Sequence, residues 1–394
     1  MEPITNRSNG RNLTRRELLR LVGMAAGTSM VGAFASACSA PSTPASAPTS
    51  GPAAQNSAPA PTAAPAAAEG KRTDIFMQVY SDYEEMARNK WVPIIEKALP
   101  VTMHIEPGVS ADAMAKMRAE KSDPKHHIMF MDSPIVTQAK GEGLIVPLDK
   151  SVMTNLADVY PDFVLEGGYG VGIGAAAMGI AYYTKAPKIT SWADLWKPEN
   201  QGKVSPPAFS QTNGVVFWIM AGAIKSGKTP QEAQHDPDAC FAGMKDLKPN
   251  IQSFWLSDAQ QMQMMSNDEL WYMGAANTKG TYTNRAKGLS IDWMEPKEGA
   301  FQLLNSGTVV KGSTSETLAM QVLNMIVGQE LQTILGDTVF VGPTNSKVPQ
   351  PAKQVGTGVP YGPEAVKRLI QVDWTWIQSQ RATWTERWNK EVTS

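Results

Sequence analysis

A segment that cannot form a packed core divides this chain into a short N-terminal region and a large C-terminal one. Residues 39–68 comprise 30 positions, of which 12 are Ala, 7 Pro, 5 Ser and 3 Thr, and none is charged or large and apolar. Such a composition offers too little apolar surface to offset the entropy of folding, and it is typical of an extended, flexible linker. We therefore predict a disordered tether over residues 38–70 and a globular unit that begins near Lys71.

The first 37 residues have the pattern of an export signal. A basic stretch at residues 12–20 precedes an uncharged, small and apolar run at 21–37, which is shorter than the roughly 20 residues that cross a bilayer. In the basic stretch, residues 14–19 (Thr-Arg-Arg-Glu-Leu-Leu) resemble the twin-arginine motif, which would mean export of an already folded protein. The alternative is that both arginines belong to the basic region of an ordinary signal peptide.

Residues 35–38 (Ala-Ser-Ala-Cys) resemble a lipobox that lacks its usual leading Leu. Lipidation of Cys38 would supply two acyl chains, which is about what stable membrane retention requires, and would give the tether a fixed end. We therefore predict a lipid-anchored protein at the outer face of the cytoplasmic membrane or in the periplasm. Cleavage before Cys38 without lipidation remains open, because Ala35 and Ala37 also suit the ordinary signal peptidase.

Charge and motif content argue against several functional classes. The 36 basic and 37 acidic residues nearly balance, so nothing in the overall charge favours nucleic-acid binding. Apart from the predicted lipidation site Cys38, the one cysteine is Cys240, and the four histidines lack metal-ligand spacing, so we expect no metal and no cofactor. Neither a nucleophile-elbow motif nor a P-loop is present, and the glycine pattern at 168–174 neither follows a clear strand nor opens a helix, which disfavours a dinucleotide site.

Apolar, β-prone segments alternate with helical ones after residue 73. Strands are predicted at 74–80, 101–106 and 127–131, each followed by a helix, and this alternation indicates an α/β lobe with a largely parallel sheet. Six glycines within residues 167–179 suit a crossing between two lobes, where the backbone must bend.

Longer helices are predicted in the second half of the chain, at 213–225, 237–247, 258–265 and 316–335. The last 32 residues are predicted to form one helix with an apolar stripe. We assign Trp384 and Trp388 of this stripe to structural packing.

Several ordered motifs carry a family resemblance. The first is Lys-Ile-Thr-Ser-Trp-Ala-Asp-Leu-Trp-Lys-Pro at 188–198, followed by Gly-Lys-Val at 202–204 and Leu-Lys-Pro at 247–249. Glu-Pro-Lys-Glu-Gly-Ala at 295–300 and the tryptophan pairs at 373–377 and 384–388 complete the series. In this order the motifs resemble the extracellular solute-binding proteins of ABC importers, in the branch that includes polyamine, ferric-iron and thiamine binders.

The resemblance implies a two-lobed α/β fold of the periplasmic-binding-protein type (type II), in which each lobe is an open α/β sheet and the ligand cleft lies at the hinge. We expect lobe 1 to comprise residues 71–178 and 300–345. Lobe 2 is expected to comprise residues 179–299 and 346–394.

The candidate ligand-binding residues lie in four loops and one turn. In open α/β sheets, ligands bind beyond the carboxyl ends of strands, where helix N-termini present unpaired N–H groups. The loops at 81–83, 132–133, 210–214 and 274–278 have this position, and the family turn at 296–299 returns the chain beside the cleft. The predicted residues are Asp82, Tyr83, Asp132, Ser133, Thr212, Asn213, Asn277 and Glu298. For Asp82, Ser133 and Asn213 the competing role is a helix cap or a turn.

The ligand itself is less constrained. Polyamine binders need carboxylates and aromatic faces for the ammonium groups, yet Leu303 and Asn305 stand where those relatives have an aromatic residue and an Asp, and Ala276 where they have Trp. Ferric binders carry a tyrosine pair, but Tyr182 and Tyr183 lie elsewhere, in a family strand. We expect a fairly neutral cleft for a polyamine-like or other small polar organic solute, an oxyanion included, with a ferric-iron or thiamine-type ligand as the alternative.

The implied function is capture of a small ligand by lobe closure, without catalysis, and its delivery to an ABC permease in the membrane. We expect the protein to act as a monomer. A tethered secreted enzyme or a sensor that does not transport is the alternative of another class.

Overall fold

The computed structural model describes residues 72–256 and 258–393. The predicted signal peptide, Cys38 and the tether lie outside the described residues, so they remain predictions. Within the described part, no helix is both long and apolar enough to cross a membrane.

A mixed sheet organises the fold. Its strands are β1 Thr73–Tyr80, β2 Val101–Gly108, β3 Ile128–Asp132, β4 Val164–Leu165, β5 Gly170–Tyr183, β6 Val204–Ser205, β7 Tyr272–Asn277, β8 Ile291–Met294, β9 Phe301–Val309 and β10 Gly342–Pro343. Neighbouring strands follow the order β2-β1-β3-β9-β5-β7-β6, with β4, β8 and β10 pairing to β5.

Helices cover the sheet. They are α1 Val92–Ala98, α2 Ser110–Ala119, α3 Ser133–Gly141, α4 Thr212–Ser226, α5 Pro230–Ala233, α6 Pro237–Leu247, α7 Asp258–Ser266, α8 Thr278–Ala286, α9 Glu316–Ile326, α10 Gln329–Thr338, α11 Gly362–Lys367 and α12 Trp374–Glu391. Continuous helical turns from Ser81 lead into α1, in the order Ser81–Tyr83, Glu84–Met86 and Ala87–Trp91.

Each half of the sheet contains parallel strands. In the first half, β1 pairs in parallel with both β2 and β3, and in the second, β6 pairs in parallel with β7. Parallel strands are buried on both faces by helices, which explains the continuous apolar run of β3. The strands predicted at 74–80, 101–106 and 127–131 are therefore confirmed to within two residues at each end.

Two antiparallel strands join the halves. β5 pairs with β9 from Val171 to Met178, and from Met178 onward it pairs with β7 and β8. β9 in turn pairs with β3, so both long strands run from one half of the sheet into the other. The prediction of a largely parallel sheet was wrong in the centre, because the glycine-rich segment is itself a long antiparallel strand.

Two predicted helices are each interrupted. The helix predicted at 316–335 is divided between α9 and α10, with Val327 and Gly328 between them. The predicted C-terminal helix is divided between α11 and α12, because Ile370 forms a β-bridge with Phe301. The apolar residues that were predicted to share one helix therefore lie in two helices, except for Ile370, which lies between them in the β-bridge.

The C-terminal tryptophans pack in the core, as predicted. Trp384 lies with its ring centroid 4.8 Å from that of Trp218, and Trp388 is stacked on Phe209 at 4.9 Å. Both indoles are buried, so α12 is fixed to α4 and to the loop before it.

Candidate functional site

Four loops meet where the two halves of the sheet adjoin. β1 ends at Tyr80, β3 ends at Asp132, Thr212 opens α4 after β6, and β7 ends at Asn277. All four are carboxyl ends of strands or the loops that follow them, which is the edge where open α/β sheets bind ligands. The structure brings residues of three predicted loops into one hydrogen-bonded cluster, and Lys279, which lies just beyond the fourth loop, joins it through Asp82.

Asp132 is the centre of this cluster. Its Oδ1 accepts hydrogen bonds from the Tyr80 hydroxyl at 3.1 Å and from Asn305 Nδ2 at 3.3 Å. Its Oδ2 accepts one from Thr212 Oγ1 at 3.1 Å. Because Thr212 belongs to the second half of the sheet and Tyr80 to the first, the carboxylate of Asp132 links the two halves.

The electrostatic setting of Asp132 combines burial with a nearby cation. Burial raises the pKa of Asp132, while the positive charge of Lys279 and the hydrogen bonds from Tyr80 and Thr212 act in the lowering direction. A net upward shift means that burial has the larger effect.

Tyr83 is the fully buried aromatic residue of the cluster. Its side chain is buried, its hydroxyl donates to Asn305 Oδ1 at 3.0 Å, and its ring meets that of Tyr80 edge-on with centroids 5.3 Å apart. Burial, followed by the negative charges of nearby aspartates, raises the pKa of Tyr83, and burial raises that of Tyr80 as well. Both phenols are therefore neutral at physiological pH.

Lys279 enters the cluster from the second half. Its ammonium lies 3.2 Å from Asp82 Oδ2, and it stands over the rings of Tyr80 and Tyr83, 4.4 Å and 5.0 Å from their centroids. The Lys279 side chain is only 8% exposed. Asp82, a predicted site residue, thus contacts the cluster through this ion pair.

Asp258 is a further carboxylate near Lys279. Burial raises the pKa of Asp258, the charge of Asp82 adds to the rise, and the charge of Lys279 opposes it. The carboxylate approaches α8 so closely that a Cβ built on Gly280 would lie 2.0 Å from Asp258 Oδ2. Glycine at this position therefore permits the close approach.

Two predicted asparagines have structural contacts beside the cluster. Asn277 caps α8, because its Oδ1 accepts a hydrogen bond from the Gly280 N–H at 2.7 Å. Asn213 is buried, and its amide donates to the Ala275 carbonyl at 2.6 Å, which ties α4 to β7.

Ser133 and Glu298 lie outside the hydrogen-bonded cluster. Ser133 is the first residue of α3 and lines a cavity of about 240 Å³ with Glu166, Asp373 and Trp374. Glu298 accepts hydrogen bonds from the Ser191 hydroxyl and, at 3.1 Å, from the Trp192 N–H. Its carboxylate therefore fixes the family turn to the helical segment Trp192–Trp196.

Sequence reasoning did not select Tyr80, Lys279 or Asp258 as site residues. Tyr80 is the last residue of a correctly predicted strand, and Lys279 follows the predicted loop residue Asn277 by two positions. Extending each loop by a residue or two would have found both. No sequence signal pointed to Asp258, because it is the first residue of α7 and lies outside the four predicted loops and the predicted turn.

A second cavity, of about 740 Å³, lies at the opposite end of β1 and is lined by residues that include Asp74, Phe76, His126 and His127. His126 bridges Glu106 and Glu120, with its ring nitrogens 2.8 Å and 3.0 Å from their carboxylate oxygens. Among the described residues, no group of histidine, cysteine or acidic side chains is arranged to hold a metal ion.

Two α/β halves joined by crossing strands, with polar loops meeting between them, define the class of two-lobed periplasmic binding proteins. The family model for bacterial extracellular solute-binding proteins matches residues 90–357, which is more than half of the chain. The chain therefore belongs to the bacterial extracellular solute-binding protein family. Its members bind solutes and are not enzymes.

Known relatives are distant. The chain is 26% identical over 236 residues to the spermidine/putrescine-binding periplasmic protein of Escherichia coli K12, an alignment that covers 57% of this chain and 65% of the relative. The matches thus span less than two thirds of the length of these curated relatives.

Solved structures share the fold. An ABC transporter protein from Clostridium perfringens has a TM-score of 0.65 and 23% identity, covering 81% of this chain and 99% of that one. The periplasmic binding protein of Actinobacillus pleuropneumoniae, solved with fructose-6-phosphate, has a TM-score of 0.65 and 18% identity, covering 82% of this chain and 98% of that one.

Proposed function

We propose that the mature protein is the solute-binding component of an ABC importer, which captures a small solute between its lobes and delivers it to a membrane permease. The observation that carries this proposal is the contact between Thr212 and Asp132, because it joins polar side chains of the two halves at the ligand-binding edge of the sheet. The protein acts as a monomer in this scheme. Family membership supports the proposal.

The lobes we propose comprise residues 71–178 with 300–345, and residues 179–299 with 346–394. The exchange of β5's partners at Met178 supports the first boundary, since β9 is its neighbour before this residue and β7 and β8 after it. A bulge between Gly179 and Ile180 follows immediately, which suits a hinge.

The solute we propose is small, polar and organic. Ferric iron is disfavoured, because it would need phenolate ligands, whereas burial raises the pKa of Tyr80 and Tyr83 and an ammonium stands over both rings. A relative that binds polyamines and a structural neighbour solved with a sugar phosphate show that this fold serves solutes of either charge. A thiamine-type ligand, a non-transporting sensor and a tethered enzyme are the alternatives.

A thermal-shift screen of amines, amino acids, sugars, sugar phosphates, oxyanions and ferric iron tests the proposal. A solute present at 100 times its Kd should stabilise the protein by about 2.7 kcal/mol. Mass spectrometry of the incubated solute should show it unchanged. Turnover of the solute, or the absence of any stabilising compound in the whole library, would argue against a solute-binding role.

We further propose that the protein is exported and held at the membrane through an acylated Cys38. The proposal rests on the twin-arginine-like and lipobox-like residues and on the 30-residue uncharged tether. Mass spectrometry of the mature N-terminus should find a diacylglyceryl-modified Cys38, and Cys38→Ser should release the protein from membranes. An unmodified Cys38 in the soluble fraction would exclude the anchor.

A further inference from the structure

The ion pair between Lys279 and Asp82 has the form of a cation-binding cage. Two tyrosine rings face the ammonium, at 4.4 Å and 5.0 Å from their centroids, and the Asp82 carboxylate lies 3.2 Å away. Aromatic faces with a carboxylate are the chemistry that proteins use to bind ammonium groups. Here the bound ammonium belongs to the protein.

The cage is part of the candidate site. The Tyr80 hydroxyl donates to Asp132, and the Tyr83 hydroxyl donates to Asn305, which itself contacts Asp132. Lys279 therefore connects to the carboxylate of Asp132 through a single side chain, that of Tyr80. It reaches the cage from α8 in the second half, whereas the tyrosines and Asp82 belong to the first.

The charges that face Lys279 come from three different segments. Asp82 follows β1, Asp132 is the last residue of β3, and Asp258 begins α7. Lys279 influences the ionisation of both Asp132 and Asp258, so its ammonium offsets the negative charge of both carboxylates. Removing that charge would leave a strongly acidic pocket with two aromatic walls.

An incoming amine would compete with Lys279 for this pocket. Two ammonium groups cannot share one cage, since like charges at short range in a buried site repel strongly. An internal ammonium also needs no translational entropy to bind, unlike a free amine. The cage is therefore closed to external cations for as long as Lys279 occupies it.

Given the solute-binding function proposed above, we propose that Lys279 is the specificity-determining residue of the cleft. It fills the cation position, so the natural solute is one that carries no ammonium group at this position, either a neutral polar compound or an anion. The cleft then differs in specificity from the polyamine-binding relatives, although the fold is shared.

Titration calorimetry with putrescine, a simple diamine, tests this inference on the full mature chain. Wild-type protein should show no measurable binding, whereas Lys279→Met should bind putrescine about tenfold or more tightly than wild type, since it vacates the cage but keeps a chain of similar length. Lys279→Arg, which keeps the cation, should stay inactive toward putrescine. Lys287→Met removes an exposed lysine just beyond the end of α8 and should also behave as wild type.

The double variant Lys279→Met/Asp82→Asn shows whether any gain depends on the cage. It should lose the putrescine binding gained by Lys279→Met, with circular dichroism confirming that each variant is folded. If Lys279→Met does not fold, Lys279→Gln takes its place. The titration of the wild type with putrescine still tests whether Lys279 excludes an external amine.

Two outcomes would overturn the inference. One is putrescine binding by the wild type as tight as or tighter than by Lys279→Met, and the other is a folded Lys279→Met or Lys279→Gln protein that gains no amine binding. Neither result would remove the solute-binding function, which fails if no compound of the wider thermal-shift library binds the wild type or if the bound solute is turned over.

Discussion

At the scale of single residues, Asp132 couples the chemistry of the site to its stability. Its carboxylate has three neutral hydrogen-bond donors, and burial raises its pKa despite them. A carboxyl whose pKa is higher in the folded than in the unfolded protein opposes folding once it ionises. The unfavourable contribution of Asp132 to folding therefore grows as the pH rises from its unfolded-state pKa to its higher folded-state pKa, and it is constant above that.

Replacing Asp132 by Asn should remove this cost. The free energy of unfolding of Asp132→Asn, relative to wild type, should increase from pH 4 to pH 7, because only the wild type must ionise a buried group over this range. Urea denaturation at several pH values measures the difference. Asn389→Ala, at an exposed and uncharged position of α12, is the control, and its difference from wild type should not change with pH because no ionisable group is altered. A flat difference for Asp132→Asn as well would contradict the assigned effect of burial.

Position along a strand was enough to predict from sequence which residues lie near one another at this edge of the sheet. Asp132, Thr212 and Tyr83 were predicted because they follow strands or open helices, and the structure joins them through hydrogen bonds. Lys279 and Asp258 were not, because their role depends on which side chain of a neighbouring loop fills the pocket. Whether these residues contact a solute stays a prediction.

At the scale of elements, α12 supports the site through the loop that precedes α4. Arg381 of α12 donates a hydrogen bond to the Phe209 carbonyl at 2.5 Å, and its guanidinium lies 5.0 Å from the centroid of the Phe209 ring. Burial lowers the pKa of Arg381 to about 10. Because Phe209 precedes Thr212 by three residues, this contact helps to position the start of α4.

Arg381→Met should therefore weaken both the fold and the site. The Phe209 carbonyl would lose its charged donor, at a cost of about 1–3 kcal/mol in the free energy of unfolding, and solute affinity should fall because Thr212 is less well held. Denaturation and titration calorimetry measure the two effects. Arg368→Met, which changes an exposed arginine, should leave both unchanged. Wild-type stability and affinity in Arg381→Met would show that the contact between Arg381 and Phe209 does not support the site.

The elements also show where periodicity misleads. The apolar stripe of the last 32 residues predicted one helix, yet Ile370 pairs with Phe301 and interrupts it. An apolar residue at helical spacing satisfies a β-bridge equally well when a strand edge is near, and sequence spacing cannot report that neighbour.

At the scale of the whole molecule, the two-lobed fold was predictable and its sheet order was not. Strand–helix alternation and the glycine-rich segment indicated two lobes with a crossing, and the comparisons confirm the class of fold. The antiparallel insertion of β5 and β9 between the parallel strands depends on pairing over more than 100 residues, which local patterns do not encode.

The central claim is that a solute binds where the four loops meet between the lobes. Hydrogen–deuterium exchange of the mature protein, with and without the solute selected by thermal shift, tests it most directly because no residue is altered. Peptides that contain Tyr80–Tyr83, Asp132, Thr212–Asn213 and Asn277–Lys279 should gain protection together, since binding closes both halves on one ligand. Protection confined to another surface, such as the cavity lined by Asp74 and His127, would contradict the account.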